Sequence, residues 1–324
     1  MRDWFKLLAR IALALALVVV TLGAWVRLND AGLGCPDWPG CYGQIIVSET
    51  IANDPDAAHL LDARPLETGK AWREMIHRYV ASTLGLLCVA LAVIAWRRRH
   101  EPGQPVVAPF VLVGLIVFQG LLGMWTVTLL LKPIVVVGHL FGGLSTLGLL
   151  FWLAHFDRPR VEVPRATRVI GFAAAAALVL QIFLGGWTSA NYAAVACPDF
   201  PTCQTEWWPR IADFREAFIL WRGIGIDYEG GVLDHPARVA VHFAHRLGAV
   251  LAAILILTFA FRLIRDARTK TSGILLLVAL VTQLSLGISV VLFEVPLYVA
   301  VAHNGVAALL LLAMINAHQR ISKA

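Results

Sequence analysis

The chain has 324 residues, of which 59% are hydrophobic and only 15% are charged. A soluble globular domain is about 45–50% apolar and about 25% charged, so this composition excludes an ordinary soluble enzyme, a disordered chain and a secreted disulfide scaffold. Apolar stretches of about 20 residues, the length that a helix needs to cross a bilayer, recur throughout. The sequence therefore predicts an all-α polytopic membrane protein.

Eight transmembrane helices are predicted. In chain order they cover residues 8–27, 73–96, 106–130, 133–155, 167–189, 237–263, 271–293 and 296–317. The formal net charge of +6 suits a membrane protein better than a nucleic-acid-binding protein, because basic residues cluster at helix ends and do not alternate with exposed aromatic residues. We therefore expect the lipid bilayer, and no nucleic acid, as a partner.

Charge divides the predicted loops into two classes. Arg and Lys cluster after the second, fourth and sixth spans, whereas Asp and Glu dominate two long loops, 28–72 and 190–236. By the positive-inside rule, both termini are cytoplasmic and both long loops lie on the outer face of a cell (inner) membrane. The first apolar run lacks a small-residue cleavage site and continues into Trp25 and Arg27, which predicts a retained span and no signal peptide.

Four of the five cysteines lie in the long loops, paired in the short motifs CPDWPGC and CPDFPTC. We expect disulfides between Cys35 and Cys41 and between Cys197 and Cys203, because the outer face of the membrane is oxidising. Metal binding is the alternative, but five intervening residues do not match the usual zinc spacing of two to four. Cys88, alone inside the second span, is expected to be an inert apolar residue.

The two cysteine motifs belong to a longer internal repeat. Residues 22–41 align without a gap on residues 184–203, at an offset of 162, and residues 77–85 align on residues 245–252. In each half a glutamine also precedes a histidine by 20 residues. Matches in several places, in the same order, indicate duplication.

Because each half carries an even number of spans, both halves have the same orientation in the membrane. The sequence therefore predicts two four-helix bundles related by a pseudo-two-fold axis along the membrane normal. We place them at residues 1–158 and 159–324.

Four of the ten histidines repeat with the duplication, one in each even-numbered span: His77, His139, His245 and His303. Each follows the predicted start of its span by roughly 4–8 residues, within about 6–12 Å of the outer end. An isolated intramembrane histidine usually makes an interhelical hydrogen bond. Four at one depth instead suggest two pairs, each ligating a haem from both sides within its bundle.

Charged residues accompany the first histidine of each pair. Arg78 and Arg246 follow His77 and His245 directly, and haem propionates would supply the counter-charge that an intramembrane arginine needs. Snorkelling towards the interface is the alternative. Glu74 precedes His77 by three residues, so we expect it to face the same cavity as a functional carboxylate, the alternative being an interfacial charge near a helix start. His242 occupies the equivalent place in the second half and is expected to make a local hydrogen bond.

The combined motifs resemble haem A synthase. They comprise eight spans in two halves, a CPDxPxC pair in each half, EMIHR at 74–78, GH at 138–139, AHR at 244–246 and AHN at 302–304. The resemblance covers essentially the whole chain. It implies a membrane oxidoreductase that converts haem O to haem A for terminal oxidase assembly, by oxidising a porphyrin methyl group to a formyl group through successive hydroxylations.

The resemblance also implies roles for individual residues. His77 and His139 would hold the substrate haem, His245 and His303 would hold a resident haem B, and Glu74 would be the catalytic glutamate. Glu74 could act as a general base for attacking water or as a negative charge that stabilises positive charge on the porphyrin methyl group, and we favour the second role.

The expected partners are haem O, the haem O synthase that supplies it, and an electron acceptor that the sequence does not identify, while homo-oligomer formation is left open. The chain shows no nucleotide-binding glycine pattern, HExxH motif or zinc ligand set, so we assign the redox chemistry to haem iron.

Two other functions remain as alternatives. A di-haem electron-transfer protein would hold two permanent, equivalent haems, and Glu74 would be dispensable. A transporter built from parallel repeats would have broken helices at the membrane midplane, whereas the polar residues here cluster near the outer ends.

Overall fold

The computed structural model describes residues 2–323 of the chain and is almost entirely helical. The helices, in chain order, are α1 (Arg2–Leu28), α2 (Ala58–Ala63), α3 (Thr68–Arg97), α4 (Val107–Thr128), α5 (Pro133–Ala154), α6 (Arg165–Ala190), α7 (Phe214–Ala217), α8 (His235–Ile264), α9 (Lys270–Leu292) and α10 (Leu297–Arg320). Short 3-10 helices at Glu49–Asn53 and Pro55–Ala57 precede α2, and strands β1 (Val161–Val163) and β2 (Ile321–Lys323) pair in parallel.

All eight predicted spans are confirmed among the described residues, and each is long and apolar enough to cross a membrane. Most predicted bounds agree with the observed ones within three residues. Helices α1 and α3 begin earlier, at Arg2 and Thr68, because charged residues in their first turns lower the local hydropathy without ending the helix. The protein is therefore a multi-pass membrane protein.

The described chain forms two compact units. The first contains α1–α5 together with the segment Trp221–Glu229, which we call the inserted segment, and the second contains the remainder from His155 onwards. In the first unit α1 and α4 each pack on both α3 and α5; in the second, α6 and α9 each pack on both α8 and α10. Each unit is thus a closed ring of four membrane-spanning helices.

The inserted segment packs on the turn between α4 and α5. Tyr228 is buried there, and its N–H donates to the Leu130 carbonyl at 3.0 Å. Lys132 is also buried; its Nζ donates to the Gly223 carbonyl at 2.9 Å and lies 3.5 Å from the centre of the Trp221 ring. A buried ammonium group is costly unless it is paired, and these two contacts come entirely from the inserted segment.

Backbone geometry repeats between the two halves. Residues with left-handed φ occur in pairs at equivalent positions: Asp30 and Tyr192, Tyr42 and Gln204, Leu130 and Glu294, and Leu131 and Val295. This conformation is uncommon for non-glycine residues and is a genuine outlier for valine. The last two pairs form the turns that precede α5 and α10 and therefore set where those helices begin. The pseudo-two-fold relation between the halves stays a prediction.

Candidate haem sites and the disulfide loops

The four repeated histidines lie on the second and fourth spans of their units. His77 on α3 and His245 on α8 follow the helix starts by nine and ten residues, whereas His139 on α5 and His303 on α10 follow by six. Two of these offsets exceed the predicted range because α3 and α8 begin earlier than their apolar segments. The two histidines of each predicted pair lie in the same unit, on helices that pack against the same two neighbouring helices, so the structure places each pair within one helix ring.

Each of these histidine rings faces a glycine on a neighbouring helix. A Cβ built on the glycine would lie 2.9–3.6 Å from the Cε1 atom of the ring, in the pairs Gly23–His77, Gly123–His139, Gly185–His245 and Gly287–His303. A Cβ would force the ring to move at Gly287, would be tight at Gly23 and Gly185, and would make an ordinary van der Waals contact at Gly123. The sequence alone does not mark these four glycines as neighbours of the histidines, although Gly23 and Gly185 align in the repeat, and Gly123 and Gly287 each follow the repeated glutamine by four residues.

A bis-histidine haem fits these surroundings. The Nδ1 atoms of His77, His139 and His303 are buried without a hydrogen-bond partner, so these rings carry unused coordinating capacity. No group of three or more His, Cys, Asp or Glu side chains suited to a metal ion occurs in the part of the chain that the structure describes. Two histidines alone suit an iron whose other ligands come from a porphyrin.

A glutamine accompanies the fourth-span histidine of each unit. Gln283 Nε2 lies 3.2 Å from His303 Nε2, so iron ligation through that nitrogen would replace this hydrogen bond. Gln119 lies over Gly142, where a Cβ would overlap its amide, and its Nε2 is buried without a partner. The repeated spacing of glutamine and histidine thus corresponds to neighbouring side chains in the second unit.

The long loops each contain the expected disulfide, Cys35–Cys41 in the first unit and Cys197–Cys203 in the second. The aspartate of the motif closes the turn that follows: Asp37 accepts the N–H groups of Tyr42 and Gly43 at 2.6 and 2.8 Å. The prediction of disulfides in preference to metal binding is therefore confirmed.

Asp199 closes the equivalent turn in the second unit by accepting hydrogen bonds from the Thr202 hydroxyl and the Thr205 N–H. Desolvation raises the pKa of the Asp199 carboxyl, but these hydrogen bonds outweigh it, so that pKa lies below its usual value. The carboxylate is consequently ionised at neutral pH, as an N–H acceptor at a turn should be.

Glu74 connects the first disulfide loop to α3. Its side chain is buried, and its carboxylate accepts the Cys35 N–H at 2.9 Å and pairs with Arg78. Arg78 Nη1 in turn donates to three loop carbonyls, those of Asp37, Pro39 and Gly40, at 3.1, 3.1 and 2.5 Å. We call this arrangement the loop latch of the first unit.

The second unit has a similar latch, with a histidine in place of the glutamate. His242 Nδ1, in place of a carboxylate, accepts the Cys197 N–H at 3.2 Å, in line with the local hydrogen bond expected for this residue. Arg246 donates to the carbonyls of Cys197, Asp199 and Thr202 at 2.6–2.7 Å. Both arginines therefore bind loop carbonyls, a role that the sequence analysis did not consider, and the two latches differ in charge at a single position.

The glycine contacts lead to a first prediction. Gly287→Ala should weaken haem binding in the second unit, because the new Cβ would stand 2.9 Å from His303 Cε1 and displace the ring. Overpacking typically costs about 1–3 kcal/mol, or roughly 5- to 150-fold in affinity. Haem titration of the purified variant measures the effect. Gly120→Ala, where a Cβ meets nothing within 4 Å, is the control, and equal haem affinity in both variants would contradict the contact.

Comparison with known proteins identifies the family. The model of the cytochrome oxidase assembly protein family, COX15-CtaA, matches residues 6–315. A protein of Shewanella oneidensis named heme A synthase is 46% identical over 314 residues, covering 95% of this chain and 94% of its own length. Proteins with the same name from Rhizorhabdus wittichii and Halalkalibacterium halodurans are 29% and 27% identical, over 99% and 90% of this chain and 94% and 89% of theirs. The chain therefore belongs to the cytochrome oxidase assembly protein family, COX15-CtaA.

Proposed function

We infer that this protein is a haem A synthase, an oxidoreductase of the membrane that converts haem O to haem A for cytochrome oxidase assembly. This proposal rests on one main observation. Each unit holds two histidines, on its second and fourth membrane-spanning helices, and the imidazole of each histidine faces a glycine. Family membership and the 46% identity to a protein of that name support the activity. The reaction oxidises a methyl group to a formyl group, so it requires an electron acceptor, whose identity is open.

We assign different roles to the two units. His77 and His139 would hold the substrate haem O and its product haem A, and His245 and His303 would hold a resident haem B. The difference between the latches supports this assignment, because the first unit has the acidic Glu74 where the second has His242. Iron in the bound haem would supply the redox chemistry that no side chain provides.

Glu74 and Arg78 would act next to the substrate. Both Glu74 oxygens accept hydrogen bonds, one from Cys35 and one from Arg78, so the carboxylate is held in one orientation. A carboxylate that is held in one orientation suits the stabilisation of positive charge that develops at a fixed place, and we favour this role over proton abstraction. Arg78 and Arg246 would hold the loops in place, and haem propionates would be additional acceptors for them.

The orientation in the membrane follows from the charge distribution. We place both termini and the Arg-rich connections on the cytoplasmic side of the inner membrane, with the two disulfide loops outside. Haem O would reach the first unit from the haem O synthase that makes it.

Haem extraction and chromatography of the purified protein test the proposal. A haem A synthase should yield haem B together with haem O or haem A, and the haem O should convert when an electron acceptor is supplied. The alternative, a di-haem electron-transfer protein, would yield haem B alone in both sites. That result, with no conversion of added haem O, would contradict the proposed function.

A further inference from the structure

His245 differs from the other three predicted ligands because its Nδ1 atom has a side-chain partner, whereas the Nδ1 atoms of the other three are buried without one. Gln181 on α6 places its Nε2 atom 3.0 Å from His245 Nδ1 and donates from the same atom to the His245 carbonyl at 3.1 Å. We propose that Gln181 is the positioning residue that makes the second-unit haem resident: it holds the His245 ring so that a bound haem is retained. This inference rests on the proposed function, in which only the second-unit haem stays bound.

The structure provides space for this glutamine through Gly248. That residue follows His245 by three positions on α8, and a Cβ there would overlap Gln181 Oε1 and stand 2.7 Å from Leu184. Any larger residue at 248 would therefore displace the amide from His245. Gly248 thus leaves the space that the Gln181 side chain occupies beside His245. We call these two residues together the device.

The first unit lacks both parts of the device. In the repeat, Val19 aligns with Gln181 at the offset of 162, and Val80 aligns with Gly248 as the third residue after the histidine. Neither valine can hydrogen-bond, and His77 Nδ1 is buried without a partner. Two positions in contact have thus changed together between the halves, and the unit assigned to the exchangeable haem is the one without the hydrogen bond.

The physical basis is the second ring nitrogen of a metal-bound histidine. A hydrogen bond at that nitrogen fixes the ring orientation and increases its basicity as a ligand, and its loss typically weakens metal binding about 10- to 100-fold. The Gln181 amide carries a donor, Nε2, and an acceptor, Oε1, that has no other partner. When His245 binds a metal through Nε2, its Nδ1 carries the proton and donates, so the amide must turn to present Oε1 as the acceptor and give up the Nε2 bond to the His245 carbonyl.

The test measures haem release from the assembled holoprotein to an excess of apomyoglobin, followed by absorbance, with chromatography identifying the haem released. Gln181→Met keeps the side-chain length without a hydrogen bond and should release haem B about 10- to 100-fold faster than wild type. Gln181→Glu retains an acceptor and should restore slow release and lower the reduction potential of the second-unit haem. A role limited to filling space predicts the reverse order, with Met close to wild type and Glu impaired, and would overturn the proposal.

A matched variant transfers the device to the other unit. Val19→Gln combined with Val80→Gly should slow release of haem O or haem A from the first unit by a similar factor. If Gln181→Met does not assemble with haem, the double variant alone tests the proposal. Slower haem release than in the wild type supports the proposal, and release at the wild-type rate overturns it. All measurements use protein that contains haem B and converts haem O. A failure of the proposed function would appear as the absence of haem B or of conversion, so it is distinguishable from a failure of the role proposed for Gln181.

Discussion

Glu74→Gln is expected to leave both haems bound while slowing the conversion of haem O by about 10²- to 10⁴-fold. Glutamine has the same size, and its Oε1 can still accept the Cys35 N–H, so the first loop should stay on α3. The substitution removes the negative charge that pairs with Arg78 and that we expect to stabilise the reacting methyl group. Extraction and chromatography during turnover should show haem O, or a hydroxylated form of it, accumulating on the protein.

The second unit supplies the control for this experiment. His242→Gln changes the equivalent residue, which accepts the Cys197 N–H, and should affect conversion far less. Limited proteolysis of the loop around Cys35 in both variants separates a detached loop from a lost charge. A Glu74→Gln enzyme that makes haem A at the wild-type rate would refute the catalytic role and leave the interfacial-charge interpretation.

His245→Ala and His303→Ala are each expected to abolish retention of haem B, because either change removes one of the two proposed ligands. The first unit should still accept haem O, since its proposed ligands, His77 and His139, belong to a separate compact unit. Haem chromatography of each purified variant gives the result directly. His59→Ala, in an exposed position of the first long loop, should retain haem B in full.

The same measurements on His77→Ala show which unit holds the substrate haem and which holds haem B. This variant should keep haem B and lose the bound haem O or haem A. Unchanged haem B in both second-unit variants would disprove the ligand assignment, and loss of haem B only in His77→Ala would exchange the roles of the units.

Hydropathy predicted the membrane-spanning helices of this fold because it reports directly on the bilayer. Each span needs about 20 apolar residues, so all eight appear in the sequence, and errors concentrate where charged first turns extend a helix, as at Thr68. The histidine pairs were predictable for the same reason, since polar residues within a span are rare. The cysteine pairs were predictable from composition and compartment.

The contacts between side chains and loop backbone were not predictable. Arg78 was assigned to a propionate or to the interface, because nothing in the sequence indicates that the loop carbonyls of Asp37, Pro39 and Gly40 turn towards it. The contact between Gln181 and His245 was equally hidden, since a single glutamine in an apolar span forms no repeating pattern. Its signal lies in a difference between the halves, visible only when Val19 and Val80 are compared with their counterparts.

The inserted segment has a consequence for the order in which the protein is made. The first four spans are complete at Ala154, but the first unit also needs Trp221–Glu229, which the ribosome reaches about 75 residues and roughly 4–15 s later. Until then the Lys132 ammonium lacks both the Gly223 carbonyl and the Trp221 ring. The unit assigned to the substrate therefore matures only after the fifth membrane-spanning helix, α6, has entered the bilayer. A fragment that ends at residue 158 would contain His77 and His139 but not the segment that packs on the α4–α5 turn.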